Sequence, residues 1–345
     1  MKKILFSLIL LVSVAPVWAQ NGYNAEPYLV KNLEGVSIQN VQAKTSGGNI
    51  KIVGGSEKPR VEVFIQANHG EKRTHEEIKK ELEVDYDMGI NTGPGALILF
   101  AKAKPGFKDW NHGLSISFTV YVPSSVSTDL QTSGGNIMLS NLNGSQQNFS
   151  TSGGNLKLEM LSGNVKGKTS GGNIYLSNSN GEIDLITSGG NIEADHCKGN
   201  LGLKTSGGNV VMQNIKGNIL ANTSGGNIRG NDINGNLESS TSGGNIDLVR
   251  LSCTLEGSTS GGGMHIEMVS LGKFVHLHDS SGDIHISLPG KSGMTLSMKA
   301  DKIHLNEMGN FNGTNKEGNL NGTLNGGGVP VTISNSSGTI QVELN

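Results

Sequence analysis

The hexapeptide Thr-Ser-Gly-Gly-Asn-(Ile/Leu/Val) recurs along this chain at a spacing that few folds accommodate. It begins at Thr132, Thr151, Thr169, Thr187, Thr205, Thr223 and Thr241, with variants at Thr259 (TSGGGM) and Asp279 (DSSGDI). The intervals are 19 residues, then six of 18, then 20. One copy stands apart at Thr45, and an echo, NSSGTI, starts at Asn335. A fixed period of this length marks a repeat architecture in which each unit stacks on the next.

Inside each unit the apolar residues alternate with period two, and a half-repeat of about nine appears. Gly190-Asn191-Ile192 is answered by Gly199-Asn200-Leu201, and Gly208-Asn209-Val210 by Gly217-Asn218-Ile219. Alternation argues for strands. Helices are disfavoured, since 51 of the 345 residues are glycine and each costs about 1 kcal/mol in a helix interior. The residues five and seven places after each Thr, such as Ile174/Leu176 and Ile246/Leu248, point inward. The position between them (Met138, Lys157, Tyr175, Glu193, Val211, Arg229, Asp247, His265, His285) points to solvent. On the second strand the inward column is Val165, Ile183, Leu201, Ile219, Leu237, Leu255 and Val275.

One unit alone buries about three or four apolar side chains, too few to offset ordering costs of about 1–2 kcal/mol per residue. Stacking buries each unit against two neighbours and pairs every strand above and below. The expected fold is therefore all-β: a single-stranded parallel β-helix, or β-solenoid, with coils of about 18 residues and two short strands per coil. At about 4.8 Å per coil the stack from Thr132 to Asp279 is roughly 38 Å long. Asn136, Asn155, Asn173, Asn191, Asn209, Asn227 and Asn245 are expected to form an amide ladder at one turn. Thr132, Thr151, Thr169, Thr187, Thr205, Thr223 and Thr241 form a second column. Amides and hydroxyls both donate and accept, so each column can satisfy itself along the axis. Glycine pairs such as Gly189-Gly190 are expected to turn the corner with positive φ.

Residues 1–19 read as a cleaved signal peptide. Lys2 and Lys3 precede an apolar run, and Val17-Trp18-Ala19 supplies small residues at −3 and −1. The residue after the cut is Gln20, not a lipid-accepting Cys, and the apolar run is short for a transmembrane anchor. The expected location is extracytoplasmic: periplasmic, outer-membrane-associated or secreted. Lys+Arg number 27 against 29 Asp+Glu, a net −2 that offers no electrostatic reason for a nucleic-acid partner.

The mature chain, 20–345, reads as a single domain. Residues 20–131 supply N-terminal strands, a first coil at Thr45 and a cap; 132–286 are the regular coils; 287–345 are irregular coils and a C-terminal cap. Strand-like runs lie at 61–65, 97–100 and 114–122 (LSISFTVYV). Thr74-His75-Glu76-Glu77 has the form of a helix capping box within a charged excursion. Residues 306–328, rich in Asn and Gly, read as irregular coils or a loop. Pro330 precedes a closing pair of strands.

No nucleophile elbow, phosphate loop, HExxH or CxxC motif is present, and the GGN turns open no amphipathic helix. Calcium-binding β-rolls repeat Asp in their turns, whereas these turns repeat Asn and Thr. Cys197 and Cys253 lie three intervals apart, roughly 14 Å at the strand spacing, beyond disulfide reach. His265 and His285 share one outward column, with Asp247 one coil earlier. These residue types can hold zinc or copper, yet His276 and His278 face outward from the other strand and cannot converge with them. The chain is read with no resident metal and no cofactor. Glycan-cleaving β-helices need clustered acids across neighbouring strands; Arg229 beside Asp247 reads instead as a surface pair. The chain is therefore not expected to be an enzyme.

Tyr121-Val122-Pro123 leading into Leu130-Gln131-Thr132-Ser133-Gly134-Gly135-Asn136-Ile137, the TSGGNI units, and Ser336-Ser337-Gly338-Thr339-Ile340 resemble the bacterial exported "putative adhesin" family of β-strand-repeat proteins, of Bacteroidetes type. The resemblance spans residues 35–345. It implies an exported protein, and it carries no catalytic residues. The expected partner is an unknown surface protein or glycan, and the chain is read as monomeric. The leading expectation is a non-enzymatic envelope or cell-surface protein serving as adhesin or binding scaffold. The alternatives are a structural or envelope-maintenance protein without adhesion, and a carbohydrate-binding or carbohydrate-active β-helix.

Overall fold

The computed structural model describes residues 26–107, 113–306 and 309–345. The expected signal peptide at 1–19 lies outside the described residues. Among the described residues the architecture is almost all-β, with 26 strands joined in one repeating, closed sheet.

In the repeat region, alternating side chains and register act together. Ile192 pairs with Val210, Val210 with Ile228 and Ile228 with Ile246, each partner 18 residues on and parallel. The second column behaves likewise: Ile183, Leu201, Ile219 and Leu237 are successive partners. A parallel register of this kind stacks identical side chains, so the inward apolar residues of both columns are buried while Lys157, Glu193, Arg229 and Asp247 between them are exposed.

A third inward column was not read from the sequence. Nine residues after each Thr the backbone turns left-handed at Asn141, Met160, Asn178, His196, Asn214, Asp232 and Arg250, with φ between 51° and 55°. Asn, Asp and His tolerate this region, but Met160 and Arg250 adopt it against ordinary preference. The turn drives the next residue inward, burying Leu142, Leu161, Ser179, Cys197, Ile215, Ile233 and Leu251. Hydrogen bonding commonly runs through this corner, so that Val210–Asn222, Ile228–Ser240 and Ile246–Thr259 are each one long strand. The expected two short strands per coil remain separate at Ile174–Ser177 with Asn180–Ile186 and at Ile192–Asp195 with Lys198–Lys204.

The glycine expectation also needs correction. Positive φ belongs to the second glycine site, as at Gly199 (φ 114°), not to the Gly-Gly pair. Gly190 is required for close approach instead: a Cβ there would run into the Gly172 carbonyl of the preceding repeat, while one on Gly189 would come no nearer than 3.6 Å to any atom.

At the N-terminal end, the lone copy joins the array. Thr45 pairs with Thr132 and Ile50 with Ile137, both parallel. The chain then leaves, and Arg60–Ala67, Tyr86–Gly93, Gly95–Ala103 and Leu114–Tyr121 cover that first rung. The outermost pairings, Leu29–Asn32 on Arg60–Ala67 and Tyr86–Gly93 on Gly95–Ala103, are antiparallel. Between them lies helix α1, His75–Asp85, whose Thr74 and Glu77 complete the capping box. Ile78 and Leu82 pack against the core, and Tyr28 stacks on His75 at 4.5 Å between ring centroids. The charged excursion is thus the exception to the all-β expectation.

The C-terminal end mirrors this plan. Residues 306–328 are not simply irregular: Phe311–Lys316 and Asn319–Leu324 form an antiparallel hairpin on Met294–Lys299. The closing pair is not the outer cap. Val329–Asn335 lies between Met264–Asp279 and Met294–Lys299, and Thr339–Leu344 between Ile284–Leu288 and Lys302–Leu305. The last segment of the chain is an interior rung, and the segment before it forms the cover. Val331, Ile333, Ile340 and Val342 are accordingly buried.

Candidate functional site

The repeat residues singled out by the sequence are brought together as two ladders. Each threonine hydroxyl reaches across to the preceding repeat: Thr169 Oγ1 donates to the Gly154 carbonyl, Thr187 to Gly172 and Thr205 to Gly190, at 2.8–2.9 Å. The same oxygen accepts from its own turn, as from Gly208 N–H at 3.2 Å on Thr205. Thr132, Thr151, Thr223 and Thr241 repeat the arrangement on Gly48, Gly135, Gly208 and Gly226. In later rungs Asn335 Nδ2 substitutes for the hydroxyl, donating to the Gly282 carbonyl at 2.5 Å.

The asparagine column differs from the expected amide-to-amide ladder. Each Oδ1 accepts from the backbone N–H of the next asparagine: Asn155 on Asn136, Asn173 on Asn155, and Asn191 on Asn173, at 2.7–2.8 Å. Asn209, Asn227 and Asn245 continue it. The turn geometry leaves the backbone N–H closer than the neighbouring amide, and a buried backbone donor left unpaired costs more than an exposed side chain does. Both columns therefore serve the turn.

The weak metal candidates occupy one row. Asp247 pairs with His265 and His265 with His285, and the next partner of His285 is Gln341. All three side chains are exposed, and His265 and His285 line a small hollow with Gln341 and Glu343. Among the described residues no group of three or more His, Cys, Asp or Glu is placed to hold a metal ion. His278 instead meets Ser334 Oγ at 2.8 Å. Arg229 and Asp247 are cross-strand neighbours, and Arg250 forms an ion pair with Asp232, bidentate at 2.8 and 2.6 Å across one rung. That pairing holds the Asp232 carboxyl below its ordinary range and raises the Arg250 guanidinium.

Both cysteines are free and buried. Cys253 stands where neighbouring repeats have the positive-φ glycine, paired with Gly235, whereas Cys197 fills the third inward column and donates its thiol to the Asp195 carbonyl at 3.2 Å. Burial raises both thiols, Cys253 to about 12, so neither is a ready thiolate nucleophile.

An open groove of about 810 Å³ lies on the outer face of the second column. A row of amides lines it. Asn200 Nδ2 donates to Glu182 Oε1 at 2.5 Å, Asn218 Nδ2 to Asn200 Oδ1 at 2.7 Å, and Asn236 Nδ2 to Asn218 Oδ1 at 2.6 Å. The half-repeat makes these asparagines visible in the sequence, and alternation with inward Leu201, Ile219 and Leu237 places them outward; the bonds that tie them into a row appear only in the structure. One end is walled by a bulge produced by the 20-residue repeat, where the register between Cys253/Leu271 and Leu255/Val275 slips by two residues. Lys273 N–H donates to Thr254 Oγ1 at 3.0 Å, and Phe274 is left 37% exposed at the groove's end.

A family profile, Toastrack DUF4097, matches residues 233–343. No curated protein matches the chain. Among solved structures it is similar to a putative cell adhesion protein from Clostridium sporogenes (11% identity, 92% of this chain and 98% of that one, TM-score 0.20). It is also similar to a putative adhesin from Bacteroides fragilis (11%, 91% and 96%, TM-score 0.29) and a putative lipid binding protein from Parabacteroides distasonis (12%, 93% and 98%, TM-score 0.29). At such identities and TM-scores these likenesses assign no ligand. The architecture is that of a repeat-type β protein.

Proposed function

We propose that this protein is an exported, non-enzymatic envelope or cell-surface scaffold, a parallel β-solenoid that works as an adhesin or binding surface. The observation that carries this reading is the contrast between a constant interior and a variable exterior. Along the repeats the inward positions are apolar or small, while the outward row runs Met138, Lys157, Tyr175, Glu193, Val211, Arg229, Asp247, His265, His285. That row offers a partner charged, aromatic and imidazole groups along one face. Its partner is a surface protein or glycan, the chain is monomeric, and its location is extracytoplasmic.

Residues 20–345 are proposed as one domain. One contiguous apolar cluster running from Leu33 to Val342 supports this. No helix among the described residues is long and apolar enough to cross a membrane. The test is cell fractionation with surface protease accessibility, followed by attachment assays on a deletion strain. Surface exposure with lost attachment is the expected result. Purely soluble periplasmic protein with unchanged attachment overturns adhesion in favour of envelope maintenance.

A further inference from the structure

We infer that the groove on the second column binds a straight, uncharged, β-linked polysaccharide laid along the stacking axis. The inference deepens the surface-scaffold reading and rests on it. Three observations converge on this ligand.

The first is pre-organised polarity. Asn200, Asn218 and Asn236 are tied head to tail and end on the Glu182 carboxylate. Each amide nitrogen carries two N–H groups, of which the ladder uses one. The second N–H of each is thereby held in a fixed direction, and a hydrogen-bonded chain polarises its members. Donors that need no reordering are suited to hydroxyl groups presented in series.

The second is spacing. Successive amides are cross-strand partners, so they repeat at the strand separation of about 4.8 Å. A β-1,4-linked hexose chain is nearly straight and advances by close to one strand spacing per ring. An α-1,4-linked chain coils and loses step after a ring or two. From the Asn164 rung to the Thr254 rung the groove covers five intervals, about 24 Å, enough for five or six sugars.

The third is shape and charge. Gly202 lies between Asp184 and Leu220 in the adjoining row, and beside the amides the tip of Asp184 lies over it, 2.8 Å from where a Cβ would stand. Lys166 and Lys273 line the same groove together with Glu182, Asp184, Glu238 and Glu256. The carboxylates outnumber the lysines, which disfavours a polyanion, and they supply acceptors for hydroxyls beside the amide donors. Phe274 offers an apolar ring at the end for the flat face of a terminal sugar.

Isothermal titration calorimetry on the full chain tests the proposal, with cellohexaose and chitohexaose as probes, their disaccharides as length controls and maltohexaose as the coiled control. At least one β-linked hexaose is expected to bind at least tenfold more tightly than its disaccharide and than maltohexaose. Asn200→Ala/Asn218→Ala/Asn236→Ala should weaken it at least tenfold with the melting temperature unchanged. Gly202→Trp should abolish it by filling the groove that Gly202 lines, and the variant should still fold, because the added Cβ meets first the tip of Asp184 at 2.8 Å, which can swing aside. Absence of saturable binding to both β-linked hexaoses, equal binding of maltohexaose, or binding that both variants leave intact overturns the proposal. Surface-displayed protein that still mediates attachment while ignoring both glycans removes the groove and leaves the scaffold reading standing.

Discussion

The regular repeats and the two ends of this molecule solve opposite problems with the same strands. Between Thr132 and Thr259 every rung is a template for the next, and parallel pairing at a fixed 18- or 19-residue offset continues from one to another. At the ends that templating must stop, because an open rung presents unpaired N–H and C=O groups to any other chain. Both ends stop it in the same way. A rung with the repeat turn, at Thr45 or at Asn335, is set inside, and an excursion closing in antiparallel strands is laid over it. At the N-terminal end the excursion follows its rung in sequence; at the C-terminal end it precedes it. Repetition builds length, and departure from repetition limits it.

The largest test of this comparison removes an end. Deleting residues 329–345 takes out a rung that holds Met264–Leu288 and Met294–Leu305 together, so cooperative unfolding should be lost and the protein should aggregate on size-exclusion chromatography. The fragment 132–345 should associate end to end for the same reason. A monomeric fragment with the parent's melting temperature would make residues 20–131 an independent module.

Within the repeats, Gly190→Ala should cost about 4 kcal/mol, since the opposing atom is rigid backbone; Gly189→Ala, with room for a methyl group, should cost well under 1 kcal/mol. Equal effects in denaturant titrations would show that the turn relaxes in a way the stacked geometry forbids. Leu201→Ala, buried between Ile183 and Ile219, should lose about 3 kcal/mol through burial and cavity terms. Arg229→Ala should stay within about 0.5 kcal/mol, and comparable shifts for the two would break the assigned register.

Thr205→Val keeps the shape but removes the bonds to the Gly190 carbonyl and from Gly208 N–H. About 2 kcal/mol should be lost, because two buried backbone groups are left unpaired. At the end rung the same change at Thr45, as buried as Thr205 and donating to the Ile116 carbonyl, should cost about as much. Smallest of all, His265→Ala/His285→Ala should leave the melting temperature unchanged, with or without chelator. Elemental analysis finding one zinc or copper per wild-type chain, lost in this variant, would reinstate the metal reading.

The order of strands along the array was legible because its information is local and repeated. Ile174, Ile192, Val210 and Ile228 each carry the same alternation beside the same turn, and one correct register predicts all the others. The amide groove was half legible: Asn200, Asn218 and Asn236 appear in the half-repeat, but the bulge that walls their row follows from two extra residues whose direction no periodicity specifies. The third inward column escaped because Leu161, Cys197 and Ile233 follow residues as unlike as Met160, His196 and Asp232, and a left-handed turn has no single residue signature at that place.

What the sequence determined by itself, then, is the repeating interior: period, inward faces and the Thr and Asn columns, all of which follow from which side chains can be buried against copies of themselves. What only the tertiary structure decided is how that interior ends and which hydrogen bonds its polar columns make. The return of Val329–Asn335 into the stack joins it to Met264–Asp279, 50 residues and more away in the chain, and no nearby residue records that partner. The asparagine Oδ1 could accept from an amide or from a backbone N–H with equal chemistry; the distance between stacked turns chose the backbone. Choices between chemically equivalent partners are made by geometry, and geometry at these places exists only once the rungs are assembled.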